Sequence, residues 1–125
     1  MTFMLQKVNI MPYVADGGIT WRRVDVEGSA AGPSIIGGPI RDKLAEKYQW
    51  TINCIPLTAE QLATILTLIS PQYIQATYTD PETNSEATDD NAFCNSADLR
   101  LKRTTQNGIE YFAGLTFFVE TLKLV

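Results

Sequence analysis

The sequence predicts a mainly β domain (α+β by strict count), an antiparallel β-sandwich or barrel with one flanking α-helix at about residues 58–70. Three observations carry this. Alternation of apolar and polar residues with period two recurs in several separate stretches, the pattern of half-buried strands. Only the stretch after Thr58 has the three-to-four spacing of a helix. Asn107-Gly108 is a strong hairpin signal, because both residues readily take the positive φ of a two-residue turn. At 125 residues the chain forms a single domain, 1–125, and a chain this long buries roughly two thirds of its unfolded surface.

In chain order, Thr2 to Val14 is apolar enough to dock as a short strand, broken by Pro12 and a turn at Asp16-Gly17-Gly18. Ile19 to Glu27 sets Trp21, Val24 and Val26 against Arg22, Asp25 and Glu27, a half-buried strand with a bulge near Arg22 and Arg23. Gly28 to Pro39 is the most loop-like stretch, small residues and prolines around Ile35 and Ile36. Ile40 to Pro56 then presents Tyr48, Trp50, Ile52 and Cys54 on one face and Lys47, Gln49, Thr51 and Asn53 on the other.

Thr58 with Gln61 three residues on has the spacing of a capping box. Leu62, Ile65, Leu66 and Ile69 form one apolar stripe, and Ser70-Pro71 stops the helix. Gln72 to Thr79 is a strand, followed by a polar excursion from Asp80-Pro81 to Asn91. Ala92 to Arg103 and Ile109 to Val125 are the last two strands and pair across Asn107-Gly108. In the final strand Leu115, Phe117 and Val119 share one face, and Thr116, Phe118 and Glu120 the other.

The composition argues against catalysis. With no histidine, the commonest general base is missing and so is a usual zinc ligand, and two thiols do not fill a zinc site. The lysines, Lys7, Lys43, Lys47, Lys102 and Lys123, read as solvated charges. Gly32 to Gly38 lacks the Lys and Ser or Thr that a phosphate loop needs after its second glycine. Asp80, Glu82, Glu86, Asp89 and Asp90 lack the spacing of a calcium loop and read as a solvated hairpin tip. No catalytic, cofactor or metal residues are therefore expected. A net charge of -4 with scattered basic residues disfavours nucleic acid. No stretch has the roughly 20 apolar residues that span a bilayer, and the start of the chain lacks a signal-peptide pattern, so no membrane partner is expected. Cys54 and Cys94 are expected to be reduced, buried thiols.

Phe117 and Phe118 are adjacent in a strand, so one ring faces away from the core. An outward aromatic and two isoleucines in a small-residue loop are the marks of an interface. The candidate interface residues are Ile35, Ile36, Gly37, Gly38 and Phe118. Deleting Ser29 to Gly38 is expected to leave a folded monomer that no longer assembles.

The order of features supports one further reading. A strand with basic residues leads through the Gly-rich segment to Ile40-Arg41-Asp42. A strand from Lys47 to Ile52, a helix from Leu57-Thr58 to Leu66, Ser70-Pro71, a corner from Thr77 to Pro81 and a closing strand with Gly114-Leu115-Thr116-Phe117 follow. From Thr20 onward this resembles the small tail-associated structural proteins of prophages and siphophages, with a strand-helix-strand unit similar to that of tail-tube and distal-tail domains. The resemblance implies a non-enzymatic assembly protein that forms or joins a ring, with other copies of itself and other phage tail proteins as partners. The absence of a signal-peptide pattern leads to the expectation of a cytoplasmic product during assembly, and the resemblance implies a place in the virion tail afterwards. The alternative is a monomeric β-barrel binding module for a peptide or small ligand.

Overall fold

The computed structural model describes residues 1–27, 32–33, 39–40, 43–99 and 102–124. The strands, in chain order, are β1 (Phe3–Leu5), β2 (Val8–Asn9), β3 (Val14–Glu27), β4 (Gly32–Pro33), β5 (Pro39–Ile40), β6 (Lys43–Cys54), β7 (Ile74–Asp80), β8 (Ser85–Asp98), β9 (Lys102–Gln106), β10 (Ile109–Ala113) and β11 (Thr116–Leu124). A 3-10 turn at Met11–Tyr13 precedes β3, and helix α1 (Ala59–Ile69) lies between β6 and β7. Seven strands form one antiparallel sheet in the order β2-β1-β7-β8-β11-β6-β3, with β9-β10 and β4-β5 as separate two-stranded ribbons. The expected fold, mainly antiparallel β with one helix, is what the chain adopts.

The sheet curls into a half-barrel. Strands β1 and β6 are four places apart, roughly 19 Å in a flat sheet. Yet the rings of Phe3 on β1 and Trp50 on β6 have centroids 5.2 Å apart, and Trp50 meets Tyr78 of β7 at 5.1 Å. Only strong curvature brings Phe3 and Trp50 into contact. Register shifts between Phe118 and Val119 on β11 and between Ile74 and Ala76 on β7 supply local bends.

The concave face holds the core, where Tyr48, Trp50, Ile52, Phe117, Val119, Ile74, Ala76 and Tyr78 alternate inward from their strands. Helix α1 adds Leu62, Ile65 and Ile69, with Leu66 partly buried beside them. The predicted capping box is present: Thr58 Oγ1 accepts from the Gln61 N–H at 3.3 Å, and the Thr58 N–H donates to Gln61 Oε1 at 3.1 Å. These bonds satisfy two groups that an uncapped first turn would leave bare. Among the described residues no helix is long and apolar enough to cross a membrane.

Four local expectations are corrected. Asp16-Gly17-Gly18 does not end a strand; it is a bulge inside β3, between the Val14–Cys54 and Ile19–Ile52 pairs. Gly17 supplies a φ of +67°, and a Cβ on Gly18 would lie 2.5 Å from the Asn53 carbonyl oxygen. The bulge is therefore here, with a second irregularity between Val26 and Glu27, and not at Arg22 and Arg23. The excursion expected from Asp80 to Asn91 is only the turn 81–84, with Asn84 at a φ of +53°, after which β8 runs from Ser85 to Asp98 against β7. Its Glu, Asp and Asn residues are poor strand formers by propensity, but pairing with β7 and β11 overrides that preference.

The terminal hairpin forms, but in two parts: β8 pairs with β11, while β9 pairs with β10 around Asn107-Gly108, whose φ values are +53° and +77°. A break near Leu99 and at Gly114, with φ +87°, separates them. The β9-β10 ribbon turns back onto the entrance of α1, where Leu57 and Phe112 exchange backbone hydrogen bonds of 2.8 and 2.6 Å. At the other end, the β1-β2 turn uses Gln6 and Lys7 at φ 51° and 65°. No glycine announces it.

Candidate functional site

Three features distinguish the surface and its margins: a polar cluster at one end of the concave face, a set of hollows on the convex face, and an open sheet edge.

The cluster follows from period-two alternation carried past the apolar residues. On β6, Glu46 points the same way as Tyr48 and Trp50; on β7, Asp80 points the same way as Tyr78. Cross-strand register sets Arg23 and Asp25 of β3 opposite Tyr48 and Glu46. The Tyr48 hydroxyl lies 2.8 Å from Glu82 Oε1, 3.0 Å from Asp80 Oδ1 and 3.4 Å from Glu46 Oε2. One phenolic proton thus faces three carboxylates. Burial first, then the bonds to Glu82 and Asp80, push the Tyr48 pKa far above its ordinary value, so this group is a permanent neutral donor.

Two cations offset the carboxylates. Arg23 reaches Asp25 at 3.2 Å, Glu82 at 3.5 Å and Glu46 at 3.6 Å, and Lys123 Nζ reaches Asp80 Oδ2 at 3.3 Å. Asp80 is 2% exposed. Burial alone would raise its pKa, but the Glu82 N–H, the Tyr48 hydroxyl and Lys123 together hold it below the ordinary carboxylate value. The hydrogen bond to Asp80 is the main cause of the raised Lys123 pKa. This corrects the reading of Asp80 as a solvated charge, whereas Lys123, with its side chain 40% exposed, is a solvated strand charge that also pairs with Asp80. Within the cluster the carboxylates are engaged by Tyr48, Arg23 and Lys123, and it ties β3, β6, β7 and β11 together at the mouth of the half-barrel. Among the described residues, no three or more Cys, Asp or Glu side chains are grouped to hold a metal ion.

The convex face carries the expected outward ring. Phe117 is fully buried while Phe118, its neighbour, is half-buried on the opposite face, in register with Thr51 of β6 and Ser96 of β8. Phe118 lines a hollow of about 410 Å³ with Thr20, Arg22, Gln49, Thr51 and Ser96. Beside it, Glu120 accepts from Gln49 Nε2 at 3.1 Å and Asn95 Nδ2 at 3.4 Å, with Lys47 at 3.9 Å. A second hollow, about 400 Å³, lies between Tyr73, Phe93 and Leu122, of which Tyr73 is 56% and Leu122 48% exposed. Phe118 is the candidate interface residue the structure places; Ile35, Ile36, Gly37 and Gly38 lie outside the described residues.

The third feature is β3 itself. It is the last strand of the sheet, fully paired with β6 from Ile19 to Glu27 on one side and, among the described residues, unpaired on the other. The opposite edge is the two-residue β2. A sequence reading has no local signal for which strand is outermost, because edge position is a property of the topology.

Cys54, at the end of β6, and Cys94, in β8, are free thiols and both half-buried. Burial pushes the Cys54 thiol up to about 11 and raises that of Cys94. Comparison of the chain with protein-family models, with curated proteins and with solved structures found no match.

Proposed function

We propose that the chain is a non-enzymatic structural subunit that assembles with copies of itself and with other proteins of a phage tail, forming or joining a ring. The observation that carries this reading is the open edge. Among the described residues, β3 from Ile19 to Glu27 is paired on one side only and offers a row of backbone donors and acceptors to a neighbouring chain. Monomeric proteins blunt such edges by shortening them, as β2 does on the opposite side. The outward Phe118 and the apolar hollow around Tyr73 and Leu122 add surface suited to contact. The alternative, a ligand module, needs room in the barrel mouth, whereas Tyr48, Trp50, Phe3 and Tyr78 fill the concave face and the polar cluster occupies its end.

Negative-stain imaging of the purified chain, with antibody labelling of induced phage particles, tests the proposal. Closed rings and labelled tails are expected. A field of dispersed single chains overturns the assembly role, and particles whose tails carry no label overturn the phage-tail setting.

A further inference from the structure

We propose that two copies of this chain join edge to edge through β3, antiparallel and centred on Val24, to make one continuous sheet across a two-fold axis. This rests on the assembly reading and adds to it the partner and the register.

Inward-facing charged residues on an edge strand normally prevent pairing, because they would be carried against a neighbour's core face. Between Ile19 and Val26, β3 has two of them, Arg23 and Asp25, of opposite sign and two residues apart, facing inward with Tyr48 and Glu46. A two-fold axis perpendicular to the sheet keeps inward residues inward. With the axis at Val24, Arg23 comes opposite the partner's Asp25, and Asp25 opposite the partner's Arg23. The Arg23–Asp25 contact at 3.2 Å within each chain then becomes half of a four-membered ionic group. On the convex face Val24 meets the partner's Val24, and the stem of Arg22 lies across the partner's Val26, which is 37% exposed in the single chain.

No other centre in this stretch does this. An axis at Arg22 or Arg23 opposes two guanidinium groups, and one at Asp25 opposes two carboxylates. An axis at Val26 sets Asp25 against the partner's Glu27. A centre at Trp21 or earlier runs into the bulge at Gly17 and Gly18. The other edge cannot substitute, since β2 offers two residues. Such a contact is isologous and pairs subunits, so ring closure uses a second, heterologous surface.

The test uses the full chain and three variants. In sedimentation equilibrium the wild type forms dimers. V24K, which places two ammonium groups at the axis on the convex face, raises the dimer dissociation constant at least tenfold with an unchanged circular dichroism spectrum. V24C gives a disulfide-linked dimer under mild oxidation, and V26C does not at a comparable rate. The V24C result stands by itself if V24K fails to fold. Assembly that survives V24K and leaves V24C unlinked overturns the pairing and spares the assembly role. A wild type that remains a monomer overturns both.

Discussion

Replacing Asp80 by asparagine probes the polar cluster with almost no change of shape. Asp80 Oδ1 accepts both the Glu82 backbone N–H at 2.9 Å and the Tyr48 hydroxyl at 3.0 Å, while Oδ2 faces Lys123. Asparagine keeps one oxygen for the first two donors but turns charge-assisted bonds into neutral ones. That conversion forfeits about 1 kcal/mol per bond. The Tyr48 proton is shared with Glu82 at 2.8 Å, so the second bond counts for about half. The expected loss is about 1.5 kcal/mol at neutral pH, or roughly 6 °C in Tm for a domain of this size.

The pH dependence has a definite sign. Asp80 is held below its unfolded pKa, so its contribution is fully present above the ordinary carboxylate range and is lost as pH falls through the depressed native value. Thermal unfolding followed by circular dichroism between pH 7 and pH 2 therefore shows a wild-type advantage that is constant near neutrality and shrinks below about pH 4. An advantage that stays constant to the lowest pH, or an Asp80→Asn protein as stable as the wild type at pH 7, refutes the reasoning.

Four other perturbations have defined outcomes. Thr58→Ala removes the hydroxyl that accepts from the Gln61 N–H, leaving only the Thr58 N–H bond to Gln61 Oε1, and lowers urea stability by about 1 kcal/mol; an unchanged midpoint contradicts the cap's role. Gly18→Ala pushes a Cβ to 2.5 Å from the Asn53 carbonyl oxygen and 2.8 Å from that of Ala15, both backbone atoms, and costs about 2–3 kcal/mol by forcing β3 and β6 apart. Gly17→Ala meets open space and pays only for its positive φ, about 1 kcal/mol, so equal losses at the two positions rule out the bulge geometry described. Cys54, with its thiol at about 11, reacts with iodoacetamide at pH 8 far more slowly in the native protein than in denaturant, and equal rates contradict its burial.

What the sequence made legible was whatever short-range chemistry decides. The α1 stripe of Leu62, Ile65 and Ile69, the Thr58–Gln61 cap, the Asn107-Gly108 turn and the Tyr48-Trp50-Ile52 face all lie where local pattern puts them. Features set by tertiary pairing were not legible. The polar start of β8 looked like loop because Glu86, Asp89, Asp90 and Asn91 resist strand structure until β7 supplies a partner. The Gln6-Lys7 turn carries no turn residues at all. The polar cluster does carry a sequence signal: Glu46 falls in phase with Tyr48, and Asp80 in phase with Tyr78, so alternation alone puts both carboxylates inside. Which strand is left at the edge follows only from the full strand order.

If the side of β3 left unpaired among the described residues serves assembly, as proposed, the chain self-associates. Static light scattering of the purified 125-residue chain over a hundredfold range of concentration measures this directly. The account predicts a mass that rises from the 13.9 kDa of one chain to an integral multiple of it. A mass that remains 13.9 kDa at every concentration contradicts it.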